Sequence, residues 1–327
     1  MSAARNRRGP ASVRVFIDGQ AGTTGLQLKT RLRARPDVEL LTLPANRRRD
    51  PDARQALQNS ADIVFLCLPD DAARDAARLV TNPDTCVIDA STAHRTAPGW
   101  VYGLPELSSL HRAALGRAKR IAVPGCHATG FAAAVYPLIA GGLLPADTPL
   151  TCTSLTGYSG GGKALIARYE TAARTPGDAL CAPRPYALTL THKHLPEMQS
   201  VCGLIHPPHF YPVVGDMARG MLVSVPLWGH QFTRPGGARA VWELLSGHYA
   251  RSRFIRVQPQ GAADALEAGF LDPTALNGTN TLELFVFGHE TQALVVARLD
   301  NLGKGASGAA VQCMNIARGL PEDTALI

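Results

Sequence analysis

The fold is decided by the stretch Arg120-Ile-Ala-Val-Pro-Gly-Cys-His-Ala-Thr-Gly-Phe-Ala-Ala-Ala-Val135. Its apolar run, Ile121 to Val123, is typical of a buried strand, and the following Pro124-Gly125 stops that strand. The alanine-rich segment from Ala128 predicts a helix that runs to Gly141-Gly142. A strand that leads through a short turn into a helix is the repeating unit of an α/β fold.

Cys126 occupies the turn between this strand and this helix. At that place, N–H groups without intrahelical partners and the positive end of the helix dipole favour a thiolate over a thiol. A thiolate is both a nucleophile and a good leaving group, as acyl transfer requires. We therefore predict that Cys126 is a catalytic nucleophile. The alternative is a buried cysteine that packs like a small hydrophobic residue.

Composition bounds the class of protein. The 327 residues are 46% hydrophobic and 18% charged, which predicts a globular protein of two domains. No apolar stretch is long enough to span a bilayer, so we expect no membrane partner. Residues 1–12 are basic without an apolar core and predict a disordered tail. The seven widely spread cysteines form no CxxC pair, which indicates a reducing, cytoplasmic compartment with neither disulfides nor a metal site.

The net charge is +7, and basic clusters occur at Arg5 to Arg8 and at Arg47 to Arg49. No aromatic residues are interleaved with these clusters, and they belong to no recognisable nucleic-acid motif. The charge therefore indicates attraction to anionic small molecules and no nucleic-acid partner.

A glycine loop near the start of the chain predicts a dinucleotide site. The compact run Val13 to Ile17 predicts a strand, Asp18-Gly-Gln-Ala-Gly-Thr-Thr-Gly25 follows, and Leu26 to Leu32 predicts an amphipathic helix. The GxxGxxG spacing departs from the familiar GxGxxG, but in this context it lets a pyrophosphate rest on the helix N-terminus. The alternative is a structural turn. The residues assigned to the cofactor here are Gly19, Gly22, Thr23, Thr24 and Gly25.

The next strand, Val38 to Leu43, should end beside the adenosine ribose. An NAD site usually places an acidic residue there, whereas this chain continues with Pro44-Ala-Asn-Arg-Arg-Arg49. Guanidinium groups match a 2′-phosphate in charge and geometry, so Arg47 and Arg48 predict NADP(H) as the cofactor. A solvated basic loop is the alternative.

Strands and helices continue to alternate, which predicts a doubly wound parallel sheet of the Rossmann type. Strands are expected at Ala61 to Pro69 and Cys86 to Ala90, and helices at Asp71 to Val80 and Ser108 to Arg117. Ser91 follows a strand at the edge where such sheets bind ligands, so we assign it to the cofactor. For the nearby His94, a loop histidine without a role is the favoured interpretation.

The pattern changes after Gly142. Five further runs look like strands joined without regular intervening helices, which predicts an α+β domain with a mixed or antiparallel sheet. These runs are Thr151 to Leu155, Met221 to Leu227, Phe254 to Gln258, Thr281 to Gly288 and Gln292 to Leu299. We expect residues 13–125 to form the NADP-binding domain, completed by residues 303–327, and residues 126–302 to form the catalytic and dimerisation domain. The loop Asn301 to Gly308 and the helix Ala309 to Arg318 then return to the first domain, and Gly305 is assigned to the cofactor.

Two segments of the second half are candidates for substrate binding. Gly157-Tyr-Ser-Gly-Gly-Gly-Lys163 follows a strand and could hold an anion through its N–H groups, although it lacks the spacing of an ATP P-loop. Tyr158 and Ser159 are the assigned residues, and a mobile surface loop is the alternative. Arg219 precedes an apolar strand and could bind a carboxylate or phosphate in bidentate fashion, unless it is a surface arginine.

The segment Thr191-His-Lys-His-Leu-Pro-Glu-Met198 carries the predicted acid/base group. Pro196 suits the first position of a helix, and Leu195 before it should be extended. An extended backbone would place both imidazoles on one side and Lys193 on the other.

Histidine titrates near neutrality and suits proton transfer beside a thiol. Acid/base catalysis by His192 or His194 is favoured over a structural or metal-binding role, and Glu197 could orient a ring and fix its tautomer. We prefer His194 because it is nearer the helix start and Glu197.

Together these motifs resemble the N-acetyl-γ-glutamyl-phosphate reductase family, in its shorter subtype. The matching segments run in the same order over nearly the whole chain: Asp18 to Gly25, Asp89 to Arg95, Tyr102 to Glu106, Pro124 to Gly130, Gly157 to Lys163, His192 to Glu197, Met217 to Gly220 and Asn301 to Gly308. The resemblance implies a Rossmann domain plus a catalytic domain like that of aspartate-semialdehyde dehydrogenase, in a dimer or tetramer. It places Cys126 at the family's nucleophile and His194 at its acid/base.

The reaction that the resemblance implies is the NADPH-dependent reduction of an acyl phosphate, N-acetyl-γ-glutamyl phosphate, to the semialdehyde in arginine biosynthesis. Residues after the nucleophile, His127-Ala128, match the shorter subtype rather than the tyrosine and proline of the longer one. Three alternatives stay open from the residues alone: an aspartyl or α-aminoadipyl phosphate substrate, a non-catalytic NADP-binding regulator, and a cysteine hydrolase.

Overall fold

The computed structural model describes residues 12–48, 50–171 and 179–326. A first sheet contains six parallel strands in the order β2-β1-β3-β4-β6-β5. Its strands are β1 (Val13–Asp18), β2 (Val38–Leu41), β3 (Ile63–Leu66), β4 (Cys86–Asp89), β5 (Val101–Tyr102) and β6 (Arg120–Ala122). Apart from Ser12, the predicted tail lies outside the described residues.

Helices cover both faces of this sheet, as a doubly wound fold requires. The helices of this part are α1 (Thr23–Arg33), α2 (Pro51–Ser60), α3 (Asp70–Leu79) and α4 (Ser109–Leu115). On one face Leu28 of α1 packs in the core with Ile63, and on the other Ala76 of α3 packs with Val64. Strands buried on both faces read as continuous apolar runs, which is why β3 and β4 were recognisable in the sequence.

Helix α5 (Cys126–Ala140) joins the two halves of the molecule. Its predicted end before Gly141 is confirmed, but it begins before the predicted Ala128, so Cys126 is the first residue of the helix and does not lie on the preceding turn. The helix follows β6 and is buried on nearly every side. At Gly130 an added Cβ would lie 2.6 Å from a methyl carbon of Val223, so this glycine allows close contact with the second sheet.

The second sheet has seven strands in the order β11-β12-β13-β10-β7-β9-β8, with parallel and antiparallel pairs. Its strands are β7 (Thr151–Gly157), β8 (Arg184–Pro185), β9 (His209–Gly215), β10 (Met221–Trp228), β11 (Ile255–Val257), β12 (Leu282–Gly288) and β13 (Gln292–Leu299). The predicted fold class, a Rossmann sheet plus a mixed sheet, is confirmed.

The expectation that these strands lack intervening helices was wrong. Between them lie α6 (Gly162–Thr171), α7 (Leu195–Cys202) and α8 (Gly237–Tyr249). The parallel pair β7 and β9 needs such a crossover connection. Helix α8 buries Val241 and Leu245, at the spacing of one helical face, against the same core as α5.

The C-terminal helix α9 (Gly308–Ala317) returns to the first sheet. Its residues Ala310, Cys313 and Met314 are fully buried in the core that contains Val15 and Ile88. Among the residues that the structure describes, no helix is both long enough and apolar enough to cross a membrane.

Candidate active site

A cavity of about 790 Å³ lies where the carboxyl ends of the first sheet face the second sheet. Ligands of doubly wound folds bind at this edge. The loops that follow β1, β3, β4 and β6 line one side of the cavity, and segments from the second half line the other. From the second half come Gly160 to Gly162, Arg184 to Tyr186, His192 to His194 and the π-helical turn Gly303–Ser307.

Cys126 lines this cavity as the first residue of α5, after Gly125, which provides no side-chain cap. The π-helical turn packs closely against it, because a Cβ added at Gly305 would lie 2.7 Å from the Cβ of Cys126. Burial raises the pKa of the Cys126 thiol to about 11, while Arg95 and the backbone N–H of His127 act in the opposite direction. The expectation of a resting thiolate was therefore wrong: desolvation outweighs the helix dipole, and the group is a thiol at neutral pH.

Imidazole nitrogens lie beside this sulfur. The Sγ of Cys126 and one nitrogen each of His127 and His194 are all within 4.8 Å of one another. Burial, followed by the charge of Arg95, lowers the pKa of His194 well below its usual value, and burial lowers that of His192 to about 4. Both rings are therefore neutral at pH 7 and able to accept a proton. The Nδ1 of His194 is buried without a hydrogen-bond partner.

The backbone around these histidines differs from the prediction. Leu195 was expected to be extended but begins α7, and Pro196 takes the second helical position rather than the first. Residues 193 and 194 form a turn, closed by the Leu195 N–H, which donates to the carbonyl of His192 over 3.0 Å. Consequently Lys193 lines the same cavity as both imidazoles, whereas an extended backbone would have turned it away.

Glu197 is almost fully buried and holds the turn that precedes Cys126. Its carboxylate accepts hydrogen bonds from Arg95 at 2.6 Å, from the Tyr102 hydroxyl at 2.9 Å and from the Gly125 N–H at 3.1 Å. Its distance to the Nε2 of His194 is longer, 3.9 Å. Glu197 therefore fixes the backbone before Cys126 and the guanidinium of Arg95, and it lies beyond hydrogen-bond distance of the His194 imidazole.

His127 joins this cluster without having been predicted as a site residue. Its Nδ1 lies 2.7 Å from the hydroxyl of Ser154 and its Nε2 lies 2.8 Å from that of Tyr186. Both nitrogens of His127 contact hydroxyl groups and are therefore unavailable to a metal ion. Of the three residues close enough to share a metal ion, only Cys126 and His194 then keep a free ligand atom. Two free donors favour proton transfer over metal binding.

The residues at the start of α1 fit the pyrophosphate of a dinucleotide. Gly22, Thr23 and Thr24 line the cavity, α1 has no side-chain cap, and the Oγ1 of Thr23 is buried without a partner. Gly19 has a φ of +84°, which a glycine tolerates, and a Cβ added at Gly25 would lie 2.8 Å from the Cα of Gln20. Gly19 and Gly25 thus shape the turn, while Gly22, Thr23 and Thr24 line the cavity.

The remaining residues assigned to the cofactor divide into two groups. Ser91 and Gly305 line the cavity, and Ser91 is oriented by its hydrogen bond to Asp89 at 2.7 Å. Arg47 and Arg48 lie on an exposed turn after β2, outside the cavity lining, and Arg47 pairs with Asp50 at 2.9 Å. Arg49 lies outside the described residues, and the assignment to the 2′-phosphate stays a prediction.

The residues predicted to bind substrate are also divided. Ser159 lines the cavity, and its hydroxyl accepts a hydrogen bond from Asn301 at 2.9 Å. Tyr158 is buried, with its ring stacked on that of Tyr169 at 4.5 Å. Arg219 lies outside the cavity lining, with its side chain 41% exposed and its Nη1 3.9 Å from Asp300. These roles remain predictions.

Several cavity residues were not predicted as site residues. Arg95 lies in the motif Asp89 to Arg95, so its position after a strand was a usable signal. Arg184 and Tyr186 come from the short edge strand β8 and the residue after it, which carry no motif. His94, interpreted as a loop histidine, is buried, with its Nδ1 2.6 Å from Asp89 and its ring stacked on Trp100.

Comparisons with known proteins define the class first. Residues 14–115 match the semialdehyde dehydrogenase NAD binding domain, and residues 126–301 match the semialdehyde dehydrogenase dimerisation domain. Aspartate semialdehyde dehydrogenase II from Vibrio cholerae, complexed with ASA, has the same fold, with a TM-score of 0.72 at 18% identity over 94% of this chain and 98% of that one. Aspartate semialdehyde dehydrogenase with NADP from Candida albicans gives a TM-score of 0.58 at 14% identity, over 94% and 99% of the two chains. This chain is therefore of the semialdehyde dehydrogenase class.

Relatives of known name then define the family. An N-acetyl-gamma-glutamyl-phosphate reductase 2 from Nostoc sp. is 48% identical over 319 residues, which cover 96% of this chain and 99% of the relative. An N-acetyl-gamma-glutamyl-phosphate reductase from Burkholderia cenocepacia is 47% identical over 310 residues, 93% and 97% of the two chains. The chain belongs to the N-acetyl-γ-glutamyl-phosphate reductase family. The predicted family, the oxidoreductase class, the arginine-biosynthesis role and the NADP(H) cofactor are confirmed at this level.

Proposed function

We propose that this chain reduces N-acetyl-γ-glutamyl phosphate to N-acetylglutamate 5-semialdehyde with NADPH, through a thioester on Cys126. The observation on which the proposal rests is that three structural features line the same cavity. These features are a sulfur at a helix start, a neutral imidazole beside it and a glycine turn suited to pyrophosphate. A cysteine hydrolase binds no dinucleotide, so it would not require the glycine turn.

In the first step the sulfur of Cys126 attacks the carbonyl carbon of the acyl phosphate as its proton passes to His194. A carbon–sulfur bond forms, the carbon–oxygen bond to phosphate breaks, and phosphate leaves and takes a proton from solvent. Proton transfer must accompany attack, because the thiol pKa is high and the imidazole pKa is low. Arg95 and Lys193, both in the cavity lining, supply the positive charge that favours sulfur ionisation and attracts the phosphate.

In the second step the thioester is reduced and released. Gly22 to Thr24, with Ser91 and Gly305 nearby, would hold NADPH, which would supply the hydride when bound. Backbone N–H groups at the start of α5 stabilise the oxyanion, a contribution of roughly 2.7–4 kcal/mol in comparable sites. As the carbonyl re-forms, the carbon–sulfur bond breaks and the thiolate of Cys126 recovers its proton from His194. Glu197 and Arg95 hold the backbone before Cys126 in a fixed position.

The reverse reaction gives the simplest test, because it avoids the unstable acyl phosphate. Enzyme, NADP⁺, phosphate and N-acetylglutamate semialdehyde should produce NADPH absorbance. The Cys126→Ser variant should lose nearly all turnover while its affinity for NADPH is unchanged. Cys181→Ser, at an exposed position, is the matched control and should behave as wild type. Activity of Cys126→Ser within tenfold of wild type would contradict the thioester route.

The second sheet supports assembly into a homo-oligomer. On the face of β9, β10 and β13 away from α5, Tyr211, Trp228 and Leu294 are 40%, 51% and 36% exposed. Pairing this apolar face with a second copy would remove it from water, as the name of the matched dimerisation domain also indicates. Sedimentation should therefore give a dimer or tetramer, and Leu294→Arg should shift it toward the monomer. A wild-type monomer at micromolar concentration would contradict this assembly.

We also propose a division of the chain into two domains. We assign residues 13–125 and 303–327 to cofactor binding and residues 126–302 to catalysis and dimerisation. The burial of α9 in the core of the first sheet supports the return of the chain after residue 303.

A further inference from the structure

The cavity presents three cationic side chains with different partners. Arg95 is paired with Glu197 at 2.6 Å, and Lys193 lies in the turn between the two imidazoles. Arg184 differs from Arg95, because no carboxylate of the described residues lies within ion-pair distance of it. A guanidinium that faces a cavity without an anionic partner is suited to an anionic group of the ligand.

Arg184 is held in place by uncharged contacts. It lies on the edge strand β8, paired with Val214 of β9. Its Nη2 donates a hydrogen bond of 2.8 Å to the hydroxyl of Tyr169, which is fully buried, and its Cζ lies 5.5 Å from the centre of that ring. Its Nε is buried and has no hydrogen-bond partner. The group is therefore fixed in direction while it keeps an unused donor, an arrangement that costs stability unless a ligand engages the donor.

A line of contacts connects Arg184 to the nucleophile. Tyr186, two residues along the chain, is hydrogen-bonded to the Nε2 of His127 at 2.8 Å, and His127 follows Cys126 directly. The wall near Arg184 also contains Leu165 and Val214, which suit a short aliphatic chain. The cavity thus offers a reacting sulfur, an apolar wall and a guanidinium on one continuous surface.

We propose that Arg184 binds the α-carboxylate of the substrate and so selects an acyl phosphate that carries this carboxylate. The proposal rests on the function proposed above. The substrate of that reaction has one anionic group at the reacting end of its aliphatic chain and a carboxylate at the other end. Arg95 and Lys193 are placed for the first and Arg184 for the second. Arg184 is a specificity-determining residue, and it takes no part in proton or hydride transfer.

The test uses two aldehydes that differ only in this carboxylate, N-acetylglutamate semialdehyde and 4-acetamidobutanal. Both are assayed with NADP⁺ and phosphate in the reverse reaction. Arg184→Met should lower kcat/KM for the carboxylated aldehyde by about 10- to 100-fold, mainly through KM, and should leave that for 4-acetamidobutanal unchanged. Arg184→Lys, which keeps the charge, should recover part of the preference. Arg239→Met, at an exposed position on α8, is the control and should keep the wild-type preference.

Each other outcome counts against the assignment. Equal loss for both aldehydes would mean that Arg184 only supports the fold, and melting curves of the Met and Lys variants report that directly. If Lys193→Met or Arg219→Gln lost the preference for the carboxylated aldehyde while Arg184→Met kept it, the carboxylate would be bound by that other cation and not by Arg184. Wild-type enzyme that forms NADPH from neither aldehyde would refute the proposed function itself, and the role of Arg184 with it.

Discussion

The buried imidazole of His127 makes the fold sensitive to acid. Burial lowers the pKa of His127 to about 3 from the ordinary 6.5, and the neighbouring His192 and Lys193 act in the same direction. In the unfolded chain the ring is solvated and titrates near 6.5. Below that pH the unfolded chain binds a proton that the folded chain does not. The free energy of unfolding must therefore fall as the pH falls from 6.5 toward 3.

The size of this effect follows from the two pKa values. Each pH unit below 6.5 costs about 1.36 kcal/mol per histidine, so lowering the pH from 7 to 5 removes about 2 kcal/mol through His127 alone. His192 and His194 also have lowered pKa values and add losses of the same sign. Against a typical total of roughly 5–15 kcal/mol, the loss is large enough to measure.

The assay is denaturant unfolding at pH 5, 6, 7 and 8, at one fixed protein concentration. Wild type is compared with His127→Gln, whose amide can still bond the hydroxyls of Ser154 and Tyr186 but does not titrate. The variant should lose about 2 kcal/mol less than wild type between pH 7 and pH 5. His206→Gln, at an exposed position, is the control and should follow wild type. If His127→Gln lost as much stability in acid as wild type, the buried neutral imidazole would not be the cause.

Three further predictions concern the cofactor and the sulfur. Arg47→Ser with Arg48→Ser should raise KM for NADPH far more than for NADH, and equal effects on both would remove the 2′-phosphate assignment. Gly305→Ala should lower kcat by roughly 100-fold, because the new Cβ displaces Cys126, and its circular dichroism spectrum should be unchanged. Gly247→Ala is the control, and it should leave kcat unchanged because no atom lies within 4 Å of the added Cβ. Because the pKa of Cys126 is raised to about 11, its alkylation by iodoacetamide in the free enzyme should keep accelerating up to pH 10, and a plateau near pH 7 would contradict the raised pKa.

Much of the first sheet could be predicted because its signals are local. Val13 to Ile17 and Cys86 to Ala90 are short apolar runs bounded by turn residues, and both form strands. Helix α2 carried an equally local signal, since Asp50 caps it by accepting a hydrogen bond from the Ala53 N–H and Pro51 follows that cap. The basic cluster beside it was nevertheless assigned to the 2′-phosphate of the cofactor, and no helix was predicted after it.

Strand β9 could not be predicted from such signals. It contains Pro212 and follows Pro207-Pro208, and proline normally argues against a strand within a sheet. The strand forms because β7 pairs with it in parallel over seven positions, from Thr151 with His209 to Gly157 with Gly215. Strand β9 is stabilised by a strand that lies 58 residues earlier in the sequence. A short segment around β9 therefore does not contain the information needed to predict it.

The site shows the same division between local and distant causes. Cys126 and the two histidines were identified because each stands in a motif beside a predicted helix start. The contacts of Glu197 could not be predicted, because its partners Arg95 and Tyr102 are 102 and 95 residues away in the sequence. The protonation state of Cys126 was also missed, since the helix dipole is a local effect while desolvation depends on what the fold packs around the sulfur.

Two buried ion pairs hold the backbone on either side of Cys126 in place. Lys304 is fully buried in the π-helical turn that packs on Cys126, and its Nζ lies 2.7 Å from Glu106 and 2.6 Å from the amide oxygen of Gln312. Such a pair adds little stability over an apolar one of the same volume, but it has one preferred geometry. That geometry sets Gly305 against the Cβ of Cys126, just as Glu197 sets Gly125 before Cys126. The buried ion pairs therefore fix the backbone around Cys126, while desolvation keeps its sulfur in the thiol form.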